Sequence, residues 1–213
     1  MKQHPDPRER LIEAARQLFA SAGYDATSVR DITSRAHTNL GAITYHFGSK
    51  EALYHAVIER FAVPIADQIA AVAAATGPPL ERLARCVRVL MDHIWRHPEM
   101  PRLIMRELAS DRRLPEPVAR VIRRNVESFS RIIGQGQADG SIRQGPPHLM
   151  AMSIAGLPLF HALAAKAVRQ VVGADPANPA VRAMIADHII ANMQRALGTG
   201  ELGAPELAEG HAT

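Results

Sequence analysis

The stretch from Ser28 to Lys50, SVRDITSRAHTNLGAITYHFGSK, constrains the fold of this chain more than any other, because it encodes two short helices joined by a tight turn. Ser28 offers its hydroxyl to the free amides of a helix start, and Asp31 stands three residues on, in capping-box position. Val29, Ile32 and Ala36 recur at helical spacing, so this first helix has one face to bury. His37-Thr38-Asn39 forms the turn, Asn39 has the chemistry of an N-cap for a second helix over residues 40–47, and Gly48 stops it. The pattern is a helix-turn-helix.

At 100° per residue, Leu40, Ile43 and Phe47 fall on one side of the second helix and Gly41, Ala42 and Tyr45 on the other, with Thr44 and His46 on the flanks. Such a helix is about 12 Å long, which suits the DNA major groove, and Gly41 lets its backbone approach base edges or phosphates. Ser49 caps the helix that follows, leaving Lys50 and several free amides at a positive helix end. The expected phosphate contacts are Thr27, Ser28, Tyr45, His46 and Lys50; Asn39, Leu40, Gly41 and Thr44 are expected near base edges. Asn39 either only caps or also reads a base, and Leu40 either joins the core or touches a thymine methyl group.

Upstream, Asp6, Pro7 and Glu9 have the residue types of a helix start, and the helix runs to Gly23. Its stripe of Leu11, Ile12, Ala15, Leu18 and Phe19 is expected to close a three-helix core against Val29, Ile32, Ile43 and Phe47. From Lys50 the helical pattern continues through Leu53, Val57, Phe61, Ile65 and Ile69 to about Ala75. Pro64 inside it predicts a bend or break where the first domain ends. The expected division is a DNA-binding domain over 1–61, a helical effector-binding and dimerisation domain over 62–197, and a disordered tail over 198–213. Proline-punctuated helices are expected at 80–96, 99–110, 117–136, 147–172 and 179–197.

Hydrophobic residues make up 47% of the chain but aromatic ones only 4%, and strand-like alternation is missing, so the fold class is all-α. The net charge of +4 does not itself point to DNA, since through Phe61 eight basic residues face seven acidic ones. Placed charges such as Arg30 and Lys50 must carry that argument instead. A lone cysteine, Cys86, and a start without an apolar signal segment predict a cytoplasmic protein. Residues 149–165 lack any charged side chain, but the run is short of the roughly 18 to 20 residues of a membrane span, so a largely buried helix is expected and no membrane partner.

His93 and His97 share a helix face, yet without a third ligand they do not make a metal site. No Glu-x-x-His pair, phosphate-cradling glycine loop or nucleophile elbow supports the alternative of a helical enzyme, and no cofactor is implied. A second alternative is a carrier of apolar ligands that has no specific DNA binding.

The segments SVRDITSRA, GAITYHF and GSKEALY match, in order and spacing, the DNA-binding domain of the TetR family of bacterial transcription regulators. The chain resembles that family well in its first third and in helical layout beyond it. Two positions depart from the family pattern: His37 stands where glycine is usual, and Thr44 where an aromatic is common. The resemblance implies a repressor that binds a palindromic operator and releases it when a small-molecule effector binds the second domain. It also implies a homodimer joined by the last two long helices, with Val181, Met184, Ile185, Ile189, Met193 and Leu197 forming the stripe of the final one. Met91, Trp95, Met105, Phe129, Ile133, Met152 and Phe160 are either plain core or the lining of the effector pocket; the abundance of methionine and the resemblance favour a pocket.

Overall fold

The computed structural model describes residues 6–199; beyond Thr199 the expected tail lies outside the described residues. Among the described residues every regular element is a helix, and the only strand-like pairing is one isolated bridge. Helix α1, Pro7–Ala22, starts with the Asp6 carboxylate accepting the Arg8 amide and stops where Gly23 takes φ 90°. Helix α2, Val29–Arg35, has the full capping box: the Ser28 hydroxyl accepts the Asp31 amide at 3.1 Å, and the Asp31 carboxylate accepts the Ser28 amide at 3.1 Å. Helix α3, Ala42–Phe47, is followed at once by α4, Lys50–Ala74, which Ser49 caps through the Ala52 amide.

Two apolar cores share α4. Leu11, Phe19, Ile32, Ile43, Leu53 and Val57 build the first, which continues into Met100 and Leu103 of α6 (Glu99–Leu108) and Val118 and Val121 of α7 (Glu116–Ala138). The second gathers Ile69, Leu83 and Cys86 of α5 (Pro79–Arg96), Phe129 and Ile132, then Ile154 of α8 (Pro147–Leu163) and Ile189 of α10 (Pro179–Leu197), with Ile69 supplied by α4. No break occurs at Pro64. Buried Ala62, Ala66, Ile65 and Ile69 anchor α4 on both sides of it, Ala62 and Ala66 in the first core, Ile65 and Ile69 in the second, so packing outweighs the one backbone hydrogen bond that proline removes. Arg82, buried, donates to the Ala73 carbonyl and to Gln135 at 2.6 Å, fastening the end of α4 to α7. Burial pushes the Cys86 thiol up to about 12, which keeps it protonated and inert.

The single helix expected over 147–172 is bent instead by 53° after Leu163, into α9 (Ala165–Ala167) and a π-helical turn (Val168–Val172). Beyond the bend the chain leaves the core, and Val171 and Val172 are exposed. Among the described residues no single helix is long and apolar enough to cross a membrane.

Candidate nucleic-acid interface

The turn between α2 and α3 uses two more residues than its sequence suggests. His37 adopts a left-handed φ of 51°, and the Thr38 amide returns to the Thr33 carbonyl at 2.9 Å. Helix α3 therefore starts at Ala42 rather than residue 40, with no side-chain cap; Asn39 contributes only its backbone carbonyl, to the Ala42 amide at 3.1 Å. This shift changes which faces are used. Ala42 turns into the core, against the expectation of an outward position, and Leu40 lies in the turn, 54% exposed rather than buried. Ile43 packs inward, and Phe47 is half-buried beneath the Arg8 guanidinium at 5.2 Å.

Asn39, Leu40, Gly41, Thr44 and Tyr45 form an exposed set at the tip of the motif. Tyr45 is 85% exposed, an aromatic ring held in solvent with only the half-buried His46 ring edge-on to it at 4.9 Å. Of the other expected phosphate contacts, Thr27 is buried, its hydroxyl donating to the Gly23 carbonyl at 2.7 Å. Ser28 is exposed, but its hydroxyl donates to Asp31 at 2.6 Å; these Ser28 bonds hold the Asp31 carboxyl below its usual range. Lys50 is half-buried, and its ammonium rests 4.3 Å above the Tyr24 ring. Tyr24, just past the α1 exit, was not identifiable as part of this site from its local sequence, since its role depends on α4 folding back beside it.

The expected effector residues are scattered. Met91, Phe129 and Ile133 are packed in the second core. Met91 and Trp95 together line a groove of about 530 Å³ between α5 and α10, with the Arg182 guanidinium 5.2 Å over the Trp95 ring. Met105 lines a separate groove of about 590 Å³ with Arg102, Arg106 and Leu163, while Met152 and Phe160 are exposed on α8. On α10 the expected dimer stripe divides: Ile185, Ile189, Met193 and Leu197 pack into the second core, Val181 is half-buried, and Met184 is 58% exposed. The exposed apolar stripe lies on α8, where Leu149, Met152, Phe160 and Leu163 recur around Gly156 at helical spacing.

An α2-turn-α3 unit with a bare, protruding reading end, carried on a larger helical body, defines a helix-turn-helix DNA-binding protein. Residues 11–57 match the family model described as bacterial regulatory proteins, tetR family, and residues 79–192 match the tetracyclin repressor-like C-terminal domain. The chain therefore belongs to the TetR family of transcriptional regulators, which are DNA-binding proteins and not enzymes. It is 24% identical over 199 residues to the probable HTH-type transcriptional regulator YttP of Bacillus subtilis, covering 92% of this chain and 96% of that one. It is 30% identical over 148 residues to the HTH-type transcriptional repressor DhaR of a Mycobacterium species, covering 68% and 74%. Its fold matches that of AibR, solved in complex with isovaleryl coenzyme A and operator DNA, at a TM-score of 0.72 and 19% identity, covering 88% and 97%.

Proposed function

We propose that this protein is a repressor that binds a palindromic operator as a homodimer and leaves it when a small-molecule effector binds the body of the fold. The observation that carries the DNA half is the exposed tip of α3, where Gly41 and Thr44 leave the backbone approachable and Tyr45 stands in solvent. In this reading Tyr45 and Lys50 contact phosphates, with His46 beside them, while Asn39, Leu40, Gly41 and Thr44 lie near base edges; Ser28 supports the motif as the cap of α2, and Thr27 through its hydrogen bond to the Gly23 carbonyl. Two copies joined along the α8 stripe would present two α3 tips to major grooves one helical turn apart, about 34 Å. The division into a reading domain over 1–61 and a body over 62–197 belongs to the same reading, as does action in the cytoplasm.

The relatives support both halves: DhaR is named a repressor, and AibR was crystallised with an acyl-coenzyme A and with operator DNA. An effector lowers DNA affinity only by as much as it prefers the protein conformation whose reading heads are wrongly spaced. Tyr45→Ala and Lys50→Ala, titrated against duplex DNA across a series of salt concentrations, test the assignment. Each is expected to weaken binding to all sequences; Lys50→Ala should also reduce the salt slope by about one, whereas Tyr45→Ala, which removes no charge, should leave the slope nearly unchanged. Unchanged affinity and slope in both would remove Tyr45 and Lys50 from the interface.

A further inference from the structure

A long-range hydrogen bond between two buried side chains runs from the Tyr54 hydroxyl in the first core to Glu107, at 2.7 Å, and joins α4 to the last turn of α6. Tyr54 lies one helical turn after Lys50 on the same face of α4. The Tyr24 ring lies between them in contact terms: Lys50 sits over it at 4.3 Å, and it meets the Tyr54 ring edge-on at 5.2 Å. Phe19 closes the cluster, 5.1 Å from Tyr54 and 5.7 Å from Tyr24. The end of α6 also grips the segment that carries Tyr24, because Arg106 donates to the Ser21 carbonyl at 2.7 Å and Arg112 pairs with Asp25 at 3.0 Å.

From this chain of contacts we infer that Tyr54 and Glu107 are positioning residues for DNA binding, through which the placement of α6 sets where the Lys50 ammonium is held. Burial, then the Glu107 carboxylate, pushes the Tyr54 phenol above its ordinary range, so its hydroxyl remains the donor. A shift of α6 that breaks this bond leaves a buried carboxylate without its donor, and the cost is relieved by moving Tyr54 and with it Tyr24. Lys50 then loses the ring that fixes it. The coupling has a physical element at every step from α6 to Lys50.

The inference rests on the reading of Lys50 as a phosphate contact, and a double-mutant cycle separates the two. Wild type, Tyr54→Phe, Lys50→Ala and the double variant are titrated by anisotropy against a mixed-sequence duplex, since phosphate contacts do not depend on sequence. Tyr54→Phe removes only a hydroxyl and keeps the ring cluster, and thermal melts report any loss of folded protein separately. Tyr54→Phe is expected to weaken binding on the order of fivefold and to lower the salt slope by about one, with no further loss when Lys50 is already alanine. Glu107→Gln, which keeps an acceptor for the hydroxyl, is expected to bind like wild type. If Lys50→Ala changes nothing, the phosphate reading fails and the inference with it. If Lys50→Ala weakens binding while Tyr54→Phe has no effect, or the two losses simply add, the coupling alone is overturned.

Discussion

Replacing Phe160 with alanine tests the proposed dimer through the side chain that the α8 stripe exposes most. Phe160 is 63% exposed, so of the roughly 200 Å² that a phenylalanine can bury about 125 Å² faces solvent in the protomer. At about 25 cal/mol per Å², burying that area in a twofold interface is worth ~3 kcal/mol per copy and ~6 kcal/mol per dimer. Interfacial side chains are seldom covered completely, and alanine retains part of the contact, so a loss of ~3 kcal/mol is the working figure, or roughly a 100-fold weaker dimer. Sedimentation equilibrium over a range of protein concentrations reads that constant directly. Leu108→Ala serves as the control: Leu108 is 46% exposed but belongs to α6, and its loss should leave the dimer unchanged. The melting temperature of the protomer should barely move in either variant, because neither side chain supports the core. A Phe160→Ala dimer as tight as wild type, or an equal loss from Leu108→Ala, would refute the placement of the interface on α8.

His37→Gly should raise the melting temperature by about 1–2 °C: the left-handed φ of 51° costs an ordinary residue about 1 kcal/mol, part of which the freer unfolded glycine chain offsets. A lower melting temperature would mean that the imidazole makes a contact worth more than the strain. Acid should destabilise the fold through His93, which burial first, and then the charge of neighbouring His97, push down to about 4. The unfolded state, with its ordinary value near 6.5, binds the proton first, so the contribution is intact above pH 6.5 and is lost as pH falls towards 4, by up to ~3 kcal/mol. Burial pushes His97 down as well, in the same sense. Urea unfolding of His93→Gln between pH 7 and 4 should show a flatter pH dependence than wild type; parallel curves would contradict this.

Features settled by neighbouring residues were legible in the sequence. The capping box of Ser28 and Asp31, the stop at Gly23 and the caps at Asp6 and Ser49 are chemistry completed within one turn, and each appears where its residues predict. The start of α3 was not legible, because it depends on a backbone angle at His37 that no side-chain pattern encodes. Two residues of displacement were enough to exchange the environments of Leu40 and Ala42. The α10 stripe was legible as apolar, but periodicity does not say which neighbour covers it; Ile185 and Ile189 pack into the second core of the same chain. The Tyr54–Glu107 bond joins residues 53 apart, a separation over which local pattern carries no information. The same holds for the dispersal of Met91, Met105 and Phe160, which share an apolar character and no common cavity.

The most direct test of the central claim is a fluorescence-anisotropy titration of the purified protein against DNA from upstream of its own gene and against a scrambled duplex, each at two salt concentrations. A specific regulator should bind the upstream DNA at least about 1,000-fold more tightly than the scrambled duplex, with affinity for both falling steeply as salt rises. Equal and salt-insensitive binding to the two duplexes, or none to either, would contradict a DNA-reading role for α3.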